Sequence, residues 1–125
     1  MAHAHHIVLI ADDDRLMRES LGDAFDGFGW DVRTAACGGE AIAVLERDRL
    51  DLLVSDIDMP DMSGFQLLSW VRSQTAAPSH PPVVLMSARA DDLLGRTALA
   101  EGAFTLLAKP VEVARLNTVL TSLFH

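Results

Sequence analysis

Aspartate residues concentrate in two short stretches of this sequence, and each stretch directly follows an apolar run. The six residues are Asp12, Asp13, Asp14, Asp56, Asp58 and Asp61. Three carboxylates about 4 Å apart repel one another by about 4 kcal/mol per pair at an effective dielectric constant of about 20. A hard divalent cation that prefers oxygen ligands, Mg²⁺ or alternatively Mn²⁺, would offset this repulsion. The pattern therefore predicts a divalent-cation site where the fold brings the two stretches together.

Two further polar residues, Ser87 and Lys109, follow apolar runs in the second half of the chain. Lys109 is the single lysine beside nine arginines, which indicates a role that requires a compact ammonium rather than a planar guanidinium. A cation, a lysine and a hydroxyl group can together hold the oxygens of a phosphoryl group. An aspartate at the centre of such a site, here Asp56, can attack phosphorus and form an aspartyl phosphate.

The elements that must position these residues follow from the hydropathy pattern. Five short apolar runs alternate with five amphipathic stretches, which predicts a parallel sheet covered by helices on both faces. The predicted strands are 7–11, 31–35, 52–55, 83–86 and 104–107, and the predicted helices are about 15–28, 39–47, 64–73, 91–101 and from 111 onward. The helical periodicity predicts core-facing positions that include Phe28, Ile42, Leu45 and Val113. The second strand alternates polar and apolar residues, so it is predicted at the sheet edge. These features favour an α/β fold with a doubly wound five-stranded sheet in the flavodoxin-like order 2-1-3-4-5.

The carboxyl ends of parallel strands share one edge of a sheet, and ligands bind in the crevice there. In the predicted order, four neighbouring strands each bring a polar group to this edge. The groups are Asp12 to Asp14, Asp56, Ser87 and Lys109. The edge strand brings no ionisable group.

Length and charge limit the classes of function. The chain has 125 residues, which is the size of one domain, predicted at 7–125 after a tail or tag remnant at 1–6 that contains His3, His5 and His6. A formal net charge of −8 argues against direct nucleic-acid binding. The single cysteine, Cys37, excludes an intramolecular disulfide. The chain has neither the apolar run of a membrane span nor that of a signal peptide, so a cytoplasmic location is expected.

Taken in order, the motifs resemble those of the receiver domains of two-component response regulators. They are Asp12-Asp13, Asp56-Ile57-Asp58-Met59-Pro60 with Gly64, Ser87-Ala88 and Lys109-Pro110. The resemblance covers residues 7–123. It implies a phosphoryl-accepting signalling module whose donor is a histidine kinase or a histidine phosphotransfer protein. It also implies that the protein is not an enzyme beyond its own phosphorylation and dephosphorylation.

The resemblance also implies a role for each site residue. Asp56 would accept the phosphoryl group, and Asp13 and Asp56 would hold Mg²⁺, with Mn²⁺ as the alternative. Asp12 would act mostly through water, and the backbone carbonyl of Asp58 would be a further metal ligand. The phosphoryl oxygens would contact Ser87 and Lys109.

The family pattern further implies a cis Lys109-Pro110 bond and an output face formed by the fourth helix, fifth strand and fifth helix. That face would bind a downstream effector domain or protein. Two positions depart from the family pattern. Leu106 stands where the family usually has Tyr or Phe, and Val111 stands where Phe is common. An aromatic switch at position 106 is therefore not expected.

Other interpretations of the same residues stay open at this point. Asp56 and Asp58 also fit the Asp-x-Asp motif of a haloacid-dehalogenase-like phosphatase, although Met59 and the N-terminal acid pair do not suit that family. A flavodoxin-like cofactor carrier and a degenerate receiver that only binds partners are further candidates. The aspartates at 12–14 could simply cap a helix, a role expected for Asp14, and Asp61 is predicted to be a turn residue.

Asp58 and Arg89 are expected to flank the mouth of the site, because each lies two residues past a strand-end group. They could pair across it, or each could stay separately solvated; an exposed pair contributes only about 0–1 kcal/mol.

Overall fold

The computed structural model of the protein describes residues 5–74 and 80–124, so positions 1–4 of the predicted tail, including His3, lie outside the described residues. Within these ranges, five strands alternate with five helices. The strands are β1 (Ile7–Ala11), β2 (Asp31–Ala35), β3 (Leu52–Asp56), β4 (Val83–Ser87) and β5 (Thr105–Ala108). The helices are α1 (Arg15–Gly27), α2 (Gly38–Arg47), α3 (Gly64–Ser73), α4 (Asp92–Ala100) and α5 (Val113–Leu123).

The strands form one sheet in the order β2-β1-β3-β4-β5, and every neighbouring pair is parallel. This confirms the predicted doubly wound α/β fold and its flavodoxin-like strand order. All residues of β3 and β4 are buried, whereas β2 exposes Asp31 and Thr34. The alternating pattern of β2 therefore marked the edge of the sheet because an edge strand is covered less completely than a central one.

The core has two layers because successive side chains of a strand point to opposite faces of the sheet. Leu9 lies in the layer formed with α2, α3 and α4, and Val8 lies in the layer formed with α1 and α5. Each fully buried aliphatic side chain contributes about 1.5–3 kcal/mol. Both layers together hold the carboxyl ends of the central strands in a fixed arrangement.

Three helix faces differ from the sequence prediction. On α1, Phe25 is fully buried and Phe28, predicted to face the core, is 38% exposed, because the helix ends at Gly27 and Gly29 turns the chain with a φ of 86°. On α2, the small side chains of Ala41 and Val44 face the sheet, whereas Ile42 and Leu45, predicted to face inward, are only partly buried.

The third difference concerns α5, which begins at Val113 rather than at Val111. Val113 is 57% exposed at the first turn, and Leu116, Val119 and Leu120 form the buried face. In the described ranges, none of the helices combines the length with the apolar character needed to cross a membrane.

Candidate functional site

Backbone hydrogen bonds extend the sheet ladder past the ends of β1 and β5 and fix the residues that follow. The amide of Asp12 donates to the carbonyl of Ala35 at 3.0 Å, which holds the residue that follows β1 against the end of β2. At the other side of the sheet, the amide of Lys109 donates to the carbonyl of Ser87 at 3.0 Å. Asp56 is the last residue of β3, between these two positions. The predicted strand-end groups therefore lie along one edge of the sheet.

Three of the predicted acidic residues come together at this edge. Asp12, Asp13 and Asp56 each offer a carboxylate oxygen, and these oxygens lie within 4.8 Å of one another. Asp12 is fully buried and Asp56 is 5% exposed, whereas Asp13 is exposed. Asp14 is not part of this cluster; its carboxylate accepts from the amides of Leu16 and Met17 and caps α1, as predicted.

Lys109 extends into the same cluster. Its Nζ lies 2.9 Å from Oδ2 of Asp12 and 3.0 Å from Oδ2 of Asp56. The lysine side chain is only 14% exposed, so the ammonium is held among the carboxylates rather than in solvent. The Lys109-Pro110 peptide bond is cis, as the family resemblance implied. One positive charge faces three carboxylates, so the cluster retains an excess of negative charge.

The ionisation of Asp56 reflects this crowding. Burial raises the pKa of Asp56, and the negative charge of Asp12 adds to that effect. Hydrogen bonds from Lys109 and from the amide of Asp58 lower it, but they only partly offset the increase. For Lys109, burial lowers the pKa, yet its contacts with Asp12 and Asp56 outweigh burial and raise the pKa overall. Lys109 therefore carries its charge at neutral pH.

The donor set fits a hard divalent cation. Oδ1 of Asp12 accepts from the amide of Asp14 at 2.8 Å. Oδ2 of Asp12 is buried, and within the described residues it has no hydrogen-bond donor in good geometry, although Lys109 Nζ lies close to it. Lys109 shares its one positive charge with Asp56, so a further cation is needed to neutralise all three carboxylates. Three carboxylates at this spacing match the oxygen ligands that Mg²⁺ and Mn²⁺ prefer.

Ser87 and Arg89 define the side of the site formed by β4. Ser87 is fully buried at the end of β4, and its Oγ accepts from the amide of Arg89 at 2.9 Å. The guanidinium of Arg89 lies 3.3 Å from Oδ2 of Asp58. Of the two arrangements left open for Asp58 and Arg89, the structure has the ion pair. Both side chains remain largely exposed, at 63% and 76%.

Two contacts to this region were missed by the sequence prediction. Arg18 of α1 donates from Nη1 to the backbone carbonyl of Asp12 at 2.6 Å and so fixes the loop that carries the acid pair. Asp61, predicted to be a turn residue, accepts hydrogen bonds from the amides of Gly38 and Gly39 at the start of α2. The position of Arg18 one turn into α1 was a usable signal, because a long side chain there can reach back past the helix N-terminus.

Leu106 of β5 is half-buried and packs against the layer of the core that includes α4, where Leu94 also contributes. The position at which the family resemblance implied an aromatic ring is therefore filled by an aliphatic side chain.

Comparison with known proteins decides between the interpretations that the sequence left open. Residues 8–121 match the family model described as the response regulator receiver domain. The chain belongs to this family. Members are signalling modules that accept a phosphoryl group, and the phosphatase alternative finds no support in this match.

Individual relatives agree with the family match. The chain is 34% identical over 112 residues to the transcriptional regulatory protein GlrR of Escherichia coli, and the aligned region covers 90% of this chain and 24% of that protein. It is 37% identical over 109 residues to the DNA-binding transcriptional regulator NtrC of Salmonella typhimurium, and the aligned region covers 86% of this chain and 22% of that protein. The chain thus spans about a quarter of the length of these curated relatives.

A solved structure of similar size supports the same family assignment. The chemotaxis response regulator CheY4 of Vibrio cholerae superposes with a TM-score of 0.86 at 29% identity, covering 97% of this chain and 100% of the other.

Proposed function

We propose that Asp56 is the phosphoryl acceptor of this receiver domain and that the donor is a phosphohistidine on a histidine kinase or a histidine phosphotransfer protein. The observation that carries the proposal is the position of Lys109 Nζ, 3.0 Å from Asp56 Oδ2 and 2.9 Å from Asp12 Oδ2, beside a cluster of three carboxylates. An arrangement in which negative charge exceeds positive charge is suited to binding a cation and then a phosphoryl group.

In this proposal, Asp13 and Asp56 hold Mg²⁺, or Mn²⁺ in its place, while Asp12 acts mostly through water and Asp58 contributes its backbone carbonyl. The bound ion would supply positive charge that offsets the charge on the phosphoryl oxygens. The single charge of Lys109 is shared by the buried carboxylates of Asp12 and Asp56, and the remaining negative charge supports the need for a further cation.

The transfer itself would require little from the protein besides positioning and charge. A carboxylate oxygen of Asp56 attacks phosphorus, the new P–O bond forms, and the P–N bond to the donor histidine breaks. The electron pair of that bond returns to the imidazole nitrogen. Lys109 shifts from the carboxylates to a phosphoryl oxygen, and the hydroxyl of Ser87 donates to another.

The phosphorylated form would signal through α4, β5 and α5, which bind a downstream effector domain or protein. Because Leu106 cannot act as an aromatic switch, the signal would pass through Ser87 and movement of the backbone that follows β4. We assign the receiver domain to residues 7–125 and place the protein in the cytoplasm. In this proposal the domain binds neither membranes nor nucleic acid directly.

Acetyl phosphate with Mg²⁺ tests the acceptor, with intact-protein mass spectrometry as the readout. The wild type should gain one phosphoryl group, and Asp56→Asn and addition of a chelator should each abolish that gain. Asp51→Asn is the matched control, because Asp51 accepts from the amide of Ile7 at 2.7 Å, at the opposite end of the sheet. Undiminished phosphorylation of Asp56→Asn would exclude Asp56 as the acceptor.

A further inference from the structure

The loop between β3 and α3, residues 57–63, is tied to the start of α2 by one carboxylate. Oδ1 of Asp61 accepts from the amide of Gly38 at 2.8 Å, and Oδ2 accepts from the amide of Gly39, also at 2.8 Å. The residue at the N-cap position of α2, Cys37, makes no side-chain hydrogen bond to the helix. Asp61 therefore supplies from a distant loop the cap that the helix does not supply for itself.

The same junction is packed as well as hydrogen-bonded. Gly38 is buried, and a Cβ atom at this position would overlap the side chain of Met62. The absence of a side chain at Gly38 lets Met62 pack directly against the first turn of α2. Ala41 is fully buried in the layer beneath, so this end of α2 is firmly attached to the sheet. The contact of Asp61 thus joins the loop to a rigid element.

Backbone contacts also close the loop at its end next to β3 and the carboxylate cluster. The amide of Gly64 donates to the carbonyl of Ile57 at 2.8 Å, and Asp58 and Ser63 form an antiparallel bridge. A Cβ at Gly64 would lie 2.6 Å from the carbonyl oxygen of Asp56, so the chain passes very close to the end of β3. The backbone that carries Asp58 is therefore held between the end of β3 and the attachment at Asp61.

We propose that Asp61 is a positioning residue for the cation and phosphoryl site: it holds the loop so that the backbone of Asp58 faces Asp56. The amide of Asp58 donates to Oδ1 of Asp56 at 3.2 Å, and the carbonyl of Asp58 is the metal ligand in the proposed function, on which this inference rests. Asp61 itself contacts neither the ion nor the phosphoryl group. The amides of Gly38 and Gly39 lower the pKa of Asp61, so the carboxylate stays charged at neutral pH.

A purely structural cap would change stability alone, so the test needs readouts specific to the site. We expect Asp61→Ala to weaken Mg²⁺ binding about tenfold, the lower end of effects seen when residues behind metal ligands are replaced. Calorimetric titration with Mg²⁺ measures this affinity, and hydrogen exchange of residues 57–63 without Mg²⁺ should speed up in the same variant. Asp51→Ala is the matched control, since it also removes a carboxylate that holds a backbone amide, but its Mg²⁺ affinity should match the wild type.

Asp61→Asn keeps one acceptor oxygen and removes the charge, so it separates geometry from electrostatics. Its Mg²⁺ affinity should lie between those of the wild type and Asp61→Ala, and it serves as the test should the alanine variant fail to fold. Wild-type Mg²⁺ affinity in Asp61→Ala, or in Asp61→Asn if only that variant folds, would overturn the inference. Equal weakening in both variants that disappears at high ionic strength would also overturn it, because the effect would then be due to charge. If the wild type neither binds Mg²⁺ nor reacts with acetyl phosphate, the proposed function fails instead.

Discussion

The ammonium of Lys109 lies 3.0 Å from Oδ2 of Asp56, on a side chain that is 14% exposed. Asp12 Oδ2 lies 2.9 Å from the same nitrogen, so Lys109 bridges two buried carboxylates from different strand ends. A compact ammonium with rotatable hydrogens can shift from one oxygen to another within such a space. A planar guanidinium is larger and has a fixed donor geometry.

Lys109→Arg should therefore keep the charge and still impair the response to phosphorylation. Beryllofluoride with Mg²⁺ imitates the phosphoryl group, and we expect much smaller amide NMR shifts in Lys109→Arg than in the wild type. Lys109→Ala should also slow phosphorylation by acetyl phosphate by on the order of 10²-fold, the effect of losing one charge-stabilising donor. The control is Arg96→Lys on α4, which makes the reverse exchange between arginine and lysine at another position. A wild-type response in Lys109→Arg would show that the compact shape of the lysine is unimportant.

Asp56→Asn should stabilise the protein at neutral pH in the absence of Mg²⁺. The pKa of Asp56 is raised in the folded state, first by burial and then by Asp12. Such a group favours folding most below its unfolded pKa of about 3.9, and this contribution is lost as pH rises through the folded value. The difference in free energy of unfolding should therefore move in favour of Asp56→Asn as the pH rises above about 4. Urea denaturation at several pH values measures it.

Two controls accompany this stability measurement. Asp26→Asn replaces an exposed carboxylate of α1 and is the control for the aspartate-to-asparagine exchange itself. Saturating Mg²⁺ should stabilise the wild type more than Asp56→Asn, because an ion that binds the folded state stabilises it in proportion to the logarithm of its concentration. A pH-independent difference between Asp56→Asn and the wild type would contradict the raised pKa.

The output face can be tested in the same NMR experiment. We expect beryllofluoride to shift amides within 88–116, which contain α4, β5 and the start of α5. Leu106 is half-buried against the core, so Leu106→Ala should lower the free energy of unfolding. The same variant should have only a small effect on the amide shifts caused by beryllofluoride. If residues 88–116 stay unchanged while another face moves, the assignment of the output face is wrong.

Much of the fold could be predicted because burial leaves a direct signature in the sequence. The fully apolar β3 and β4 are covered on both faces, and the alternating β2 is not, so the strand order followed. The gathering of Asp12, Asp56 and Lys109 followed from topology alone, since the carboxyl ends of parallel strands share one edge.

The contacts that were missed involve backbone groups, which every residue offers. Asp61 binds two amides more than 20 residues away in the chain, and Arg18 binds the carbonyl of Asp12. No pattern in the sequence marks the two amides that Asp61 binds, whereas the position of Arg18 one turn into α1 did indicate a side chain that can reach back past the helix N-terminus. The exposed Val113 was misassigned for a related reason, because hydropathy at a helix terminus does not reveal where the helix starts.

The ion pair between Asp58 and Arg89 leads to a final prediction, about the lifetime of the phosphoryl group. The two side chains lie 3.3 Å apart, at 63% and 76% exposure. An exposed pair of this kind contributes only about 0–1 kcal/mol, so removing it should barely change stability. We expect the pair to restrict the water that would attack an aspartyl phosphate at Asp56.

Hydrolysis should then accelerate in Asp58→Ala and in Arg89→Ala, by up to about fivefold, which is the factor that corresponds to about 1 kcal/mol. Loss of the phosphoryl group over time, followed by mass spectrometry after removal of acetyl phosphate, gives the rate. The double variant should be no faster than either single variant, because residues that act as one barrier do not have additive effects. Rate effects that multiply in the double variant would show that Asp58 and Arg89 act separately and that their pairing does not restrict water.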